Sequence, residues 1–225
     1  MIEKNTLDFL AKLKKNNNRE WFTDNKDKFV TANDNCKEFA QALWEEVNTH
    51  DELEEVPPRK VVHRIYRDVR FSKDKTPYKT NLWGSFQRAT IARRGGYYWS
   101  VNPNGLTIGA GFWGPEPADL LRIRKEFEAD ADPMRKILTS KKFRETWGEM
   151  LGESVKTAPK GFQKDDPAID LIKRKGFYFM KDFSKAEVTS DDIVKKASAA
   201  FMVMRPYYDY MTEVLTTDLD GRSLI

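Results

Sequence analysis

Apolar residues along this chain change their spacing twice, and that switch limits the folds open to it. Up to about residue 56 they recur every three or four positions, as on one face of a helix. Leu7, Leu10 and Leu13 form the first such set, with Thr6 as its expected cap and Asn16-Asn17-Asn18 as its stop. A second pattern opens near Asn18 with Trp21, Phe22, Asn25 and Phe29. A third carries Cys36, Phe39, Ala40, Leu43, Trp44 and Val47. Pro57-Pro58 closes this part, because neither residue offers a backbone donor.

Between residues 60 and 113 the period falls to two. Residues 60–66 read as a strand with Val61, His63 and Ile65 on one face and Val62, Arg64 and Tyr66 on the other. Residues 82–89 form a second expected strand. Residues 97–101 and 106–112 flank Asn102-Pro103-Asn104-Gly105, a hairpin signal because Asn-Gly tolerates positive φ. Gly109 and Gly111 bare one face of the last strand, so something is expected to pack close to its backbone.

From residue 117 to 217 the spacing is mainly helical again, with patterns at 120–129, 134–138 and 143–151 and a loop at 159–167. Residues 177–183 fit an edge strand. A long final helix over 190–217 contains Pro206, which should kink or split it. Helices, then strands, then helices predict an α+β fold. The expectation is a single domain over residues 1–225, with a central antiparallel β-sheet covered by N-terminal and C-terminal helices.

Several functional classes are disfavoured. No apolar run approaches the roughly 20 residues of a bilayer span, and MIEKNTLDFLAKLKK lacks the apolar stretch and cleavage site of a secretory signal. Cys36 is the only cysteine, so no internal disulfide is possible. A cytosolic protein with no membrane partner is the expectation. Cys36, His50 and His63 are too few to assemble three or four nitrogen and sulfur ligands, so no zinc site and no other cofactor is predicted. Their expected roles are structural: His50 near a helix end, His63 in a strand and Cys36 on an apolar helix stripe.

Charge is distributed unevenly. Residues 1–58 carry 8 Lys/Arg against 13 Asp/Glu, whereas residues 59–94 carry 11 against only Asp68 and Asp74. A partner senses that local asymmetry more than the net charge of +4. Within the cationic stretch, which begins at Arg59, arginines recur at 64, 67 and 70, each offering a planar fork matched to phosphate or carboxylate oxygens. Thr76-Pro77 reads as a helix start, whose N–H groups and partial positive charge favour an anion. Lys75 and Lys79 lie beside it, and Tyr66, Phe71, Tyr78, Trp83 and Phe86 are interleaved with the cations.

The residues expected to bind a small phosphorylated or carboxylated ligand are therefore Arg64, Arg67, Arg70, Lys75, Tyr78 and Lys79. Asp68 and Asp74 would orient the arginines, and Lys156 and Lys160 form a second, weaker basic loop. Such a pocket could also be an enzyme's. A less favoured alternative is nucleic-acid binding, with Arg88, Arg93 and Arg94 tracking phosphates and Tyr97, Tyr98 and Trp99 stacking on unpaired bases. A third reading is a structural charge network with no ligand, or a docking face for an acidic protein.

The run RIYRDVRFSKDKTPYKTN resembles the signature of the bacterial conserved hypothetical proteins grouped as domain of unknown function 2461. NNNREWF with Asn25-Lys26, then GAGFWGPEP, LLRIRKEF, and APKGF followed by Asp166-Pro167 agree in order, so the resemblance runs from about Leu7 to Tyr207. It implies a single α+β domain. The family carries no assigned activity, so no catalytic residue transfers. Only the signature positions do: Arg64, Arg67, Asp68, Arg70, Phe71, Asp74, Lys75, Pro77, Tyr78 and Lys79.

Overall fold

In a computed structural model that describes residues 1–55, 57 and 60–225, three helices open the chain. They are α1 (Lys4–Lys15), α2 (Arg19–Asp24) and α3 (Lys26–Asn48). Strands β1 (Leu82–Gln87), β2 (Gly96–Asn102) and β3 (Gly105–Phe112) follow. Four helices come next: α4 (Pro117–Ala129), α5 (Asp132–Thr139), α6 (Lys141–Trp147) and α7 (Ile169–Ile172). Strand β4 (Phe177–Ser184), α8 (Lys185–Val188), α9 (Ile193–Val203) and α10 (Arg205–Thr216) complete the described chain. The four strands form one antiparallel sheet in the order β1-β2-β3-β4, flanked by helices, so the fold is α+β.

Contacts divide the chain into two compact units. The first comprises Met1–Phe86, Tyr98–Ile108 and Asp182–Ala199, and the second Gln87–Tyr97, Gly109–Lys181 and Ala200–Ile225.

In the first unit α1 packs on α3, and a buried asparagine ties them. Asn35 Oδ1 accepts from the Thr6 hydroxyl and the Glu3 N–H, both at 2.9 Å, while its Nδ2 donates to Met1 O at 3.3 Å. Thr6 is thus an interior residue of α1, not its cap; the N-cap is Glu3. The α2 start follows expectation, since Asn18 Oδ1 accepts the Trp21 N–H at 2.9 Å. What read as one continuous helical pattern then breaks at Asn25, whose amide donates to Trp21 O at 2.9 Å. Phe39 of α3 meets the Trp99 ring of β2 edge-on at 5.9 Å. Both are buried, as is Cys36, whose thiol burial pushes far towards its neutral form.

In the second unit Tyr208 of α10 fastens the sheet. Its hydroxyl accepts the Gly111 N–H at 2.8 Å and donates to Gly96 O. Gly95, at φ +94°, leaves the space that the Tyr208 ring fills. Met180 and Trp113 pack over Gly109, the close approach its bare face anticipated. The final helical stretch is split, as Pro206 requires: α9 ends at Val203, and Pro206 sits in the first turn of α10.

Two expectations fail near the cationic stretch. Residues 60–66 form no strand; only an isolated antiparallel bridge joins Tyr66 to Tyr78. Val61 and Val62 are both buried, and adjacent residues of a one-face strand cannot both point inward. The segment is instead bent over β1, where a Cβ at Gly84 would lie 2.2 Å from Val61 O. The helix expected at Thr76-Pro77 is also absent. Residues 76–79 are extended, and the Thr76 N–H is already taken by Asp74 Oδ1 at 2.9 Å. Of the Pro57-Pro58 boundary and the Arg59 start of the stretch, Pro58 and Arg59 lie outside the described residues.

Candidate anion site

Two extended pieces of the signature are laced together in the first unit. Arg67 N–H donates to Pro77 O at 2.9 Å and Lys79 N–H to Ile65 O at 2.8 Å, on either side of the Tyr66–Tyr78 pair. The helical part holds this ladder from below. Asn17 Nδ2 donates to Tyr78 O at 2.9 Å, and Tyr78 N–H donates to Asn17 Oδ1 at 3.1 Å. One side-chain amide thus supplies the donor and acceptor that a neighbouring strand would supply. Phe22 of α2 stacks on the Tyr78 ring at 4.0 Å and 15°. The Asn-rich turn and the cationic signature, 61 residues apart, meet here.

The arginines do not converge as a clamp. Arg67 is held by Asp74 at 2.5 Å and donates to Thr76 O at 3.1 Å and to the Thr76 hydroxyl. Arg70 turns back onto Asp68 through its Nη2 at 2.6 Å and its Nε at 3.0 Å. Lys75 Nζ donates to Val69 O at 3.0 Å and to Arg70 O at 3.5 Å, knitting the turn closed by the Ser72 N–H on Val69 O. Bonds from the Thr76 backbone, Arg67 and the Thr76 hydroxyl hold the Asp74 carboxyl down at about 2. Bonds from Arg70 lower Asp68 in the same way. The expected clamp is therefore largely a set of internal pairs, made across a turn whose shape the spacing of the arginines does not reveal. At its tip Phe71 is 96% exposed.

Arg64, Lys79 and His63 differ from the rest. Neither Arg64 nor Lys79 forms an ion pair among the described residues. Lys79 Nζ donates to Arg64 O at 3.2 Å and lies 5.0 Å from the centre of the Trp83 ring. His63 stacks flat on that ring at 3.9 Å and 11°, and its N–H donates to Trp83 O at 2.9 Å. Partial burial and the Arg64 charge lower the Lys79 pKa; partial burial and the Lys79 charge lower that of His63. His63 and Lys79 thus share the Trp83 ring; the Arg64 charge opposes that of Lys79, and the Lys79 charge opposes protonation of His63. The sequence pattern places His63 in a strand and Trp83 only among interleaved aromatics, and nothing in their spacing brings the two rings together.

The remaining candidates lie elsewhere. Tyr78 is buried, and burial raises its pKa, so it is a packing residue of the ladder. Arg88 is buried in the second unit, 4.9 Å from the Tyr208 ring, and donates to Arg94 O and the Thr212 hydroxyl. Arg94 pairs with Asp119. Tyr97 and Trp99 are core residues, which corrects their expected role as stacking platforms. Lys156 and Lys160 are exposed on a loop of the second unit. No group of three or more His, Cys, Asp or Glu that could hold a metal occurs among the described residues. No helix among them is long and apolar enough to cross a membrane.

No curated protein and no solved structure matches the chain. A family profile does, over residues 5–210, and it takes in both the Asn-rich turn and the signature that the Asn17–Tyr78 bonds bring together. This chain belongs to the conserved hypothetical protein family DUF2461.

Proposed function

We propose that this protein binds a phosphorylated or carboxylated small molecule at Arg64 and Lys79, with His63 as a third group that becomes cationic when protonated. The observation that carries the reading is the pairing pattern. Arg67 and Arg70 have carboxylate partners at ion-pair distance, while Arg64 and Lys79 form no ion pair among the described residues and the Arg64 charge disfavours that of Lys79. An anion relieves that repulsion, and the cluster is already positioned, because Arg64 O and the Trp83 face fix the Lys79 ammonium. The Arg64 guanidinium supplies a fork for two oxygens of one ligand group. Arg67, Arg70 and Lys75 then act as scaffold. Nothing in this reading requires catalysis.

The test is calorimetric titration with inorganic phosphate, nucleotides, sugar phosphates and dicarboxylates, repeated on Lys79→Ala and Arg64→Lys. A bound anion should lose about tenfold in affinity in either variant, as expected for one charge-assisted contact of roughly 1.5 kcal/mol. Equal affinity in wild type and both variants refutes the site.

A second reading rests on Phe71. A fully exposed phenylalanine on a turn knitted by Lys75, with Arg70 and Lys73 beside it, offers a face to an unpaired base. Binding of a single-stranded oligonucleotide that weakens with salt and is lost in Phe71→Ala would favour the nucleic-acid alternative over a small anion.

A further inference from the structure

We infer a second ligand site, independent of the anion cluster, in the groove between α1 and the α2–α3 junction, and assign it to a small aromatic carboxylic acid. The groove encloses about 360 Å³, a volume in the range of small-molecule pockets. Its wall is aromatic: Phe9 of α1 and Trp21 of α2 lie with ring centres 5.9 Å apart and planes 28° from parallel. Its mouth carries charge from Asp8, Lys12 and Lys28.

Those charges are disposed unusually. Asp8 precedes Lys12 by one helical turn, the order that favours an ion pair on an isolated helix. Yet neither residue forms one among the described residues. Lys28 is steered by Asn25 Oδ1 at 2.8 Å, while the other end of that amide is bound to Trp21 O. Asn25 therefore both breaks the helix and aims an ammonium at the groove. Two ammonium groups beside an apolar wall suit a carboxylate on a flat ring, and Asp8 can accept from an amine or hydroxyl on the same ligand.

The Asn-rich motif is divided between two places. The anion cluster draws on it only through Asn17 and Phe22, which reach Tyr78. Trp21 and Asn25, from the same run, line the groove instead. A half-buried tryptophan at a cavity is costly to hydrate and well placed to cover a planar ligand.

The experiment is a titration of the full chain with indole-3-acetate, followed by amide and indole N–H resonances, with neutral indole and inorganic phosphate as companions. The expected result is saturable shifts at the Trp21 indole and the Asn25 amide. Affinity for indole-3-acetate should fall about two- to fivefold in each of Lys12→Ala and Lys28→Ala, the range of a single exposed ion pair. Neutral indole should bind more weakly and be indifferent to both substitutions, and saturating phosphate should displace nothing. Shifts confined to the surroundings of Lys79 and Trp83, no shifts at all, or wild-type affinity in both lysine variants would overturn the assignment. The outcome does not depend on whether phosphate binds at Arg64 and Lys79, so the two sites can fail separately.

Discussion

Replacing Asn17 by alanine should undock the cationic signature from the helices beneath it. The side chain makes two bonds to one residue, accepting the Tyr78 N–H at 3.1 Å and donating to Tyr78 O at 2.9 Å. Each neutral hydrogen bond contributes roughly 0.5–1.5 kcal/mol net, so the pair is worth about 1–3 kcal/mol. Both bonds are partly buried, so water can reach the stranded groups in part and the centre of that range, about 2 kcal/mol, is the expectation. For a chain of this size that corresponds to a melting midpoint lower by about 4–8 °C. Urea unfolding followed by circular dichroism measures the loss as a lower midpoint at unchanged slope. Asn17→Asp sharpens the test. It keeps an acceptor for the Tyr78 N–H but sets an oxygen against Tyr78 O, so it should cost at least as much at neutral pH and recover as the introduced carboxyl protonates. Amide exchange at Lys79, whose N–H donates to Ile65 O, should quicken in both variants. A loss under about 0.5 kcal/mol with unchanged Lys79 exchange would refute the claim that Asn17 stands in for a missing strand.

Other positions give equally direct expectations. Gly84→Ala would place a Cβ 2.2 Å from Val61 O and 2.8 Å from the Trp99 ring; the cost should reach the upper part of the roughly 1–3 kcal/mol of an overpacked core, read from the urea midpoint. Tyr208→Phe removes the hydroxyl shared by the Gly111 N–H and Gly96 O; with two buried backbone groups stranded, about 2–4 kcal/mol should be lost, and the Gly111 amide should exchange faster. His63 supplies the pH dependence. Its pKa is lowered from 6.5 by burial and by Lys79, so the folded state takes up its proton later than the unfolded chain. Its contribution therefore favours folding above 6.5 and is lost as pH falls through the lowered folded value. Anion binding should run the opposite way, strengthening on acidification and raising the His63 pKa. Proton resonances of the two histidines, titrated with and without phosphate, measure this; a His63 pKa unmoved by a bound anion would sink its role.

Much of the fold was legible because its signals are local. The Asn104-Gly105 turn, the Asn18 cap and the break before Pro206 each depend on a few neighbouring residues and on backbone sterics alone. The change of hydrophobic period likewise reports which side of an element faces a core, whatever that core contains. The signature segment was different. Its alternation suggested a strand, but a strand needs a partner along its length, and Tyr78 offers Tyr66 a single bridge. Thr76-Pro77 fits an extended chain as well as a helix start, and the choice fell to Asn17, which binds Tyr78 from 61 positions away. Spacing could count the arginines but not decide which carboxylate each would meet. That was set by the turn at Val69–Ser72, which gave Asp68 to Arg70 and Asp74 to Arg67. Local spacing and composition were enough for the α+β order of elements and the cationic character of residues 64–79. Which cations are neutralised was left to the folded chain, because Coulomb pairing depends on distances across the fold and not on spacing along the chain.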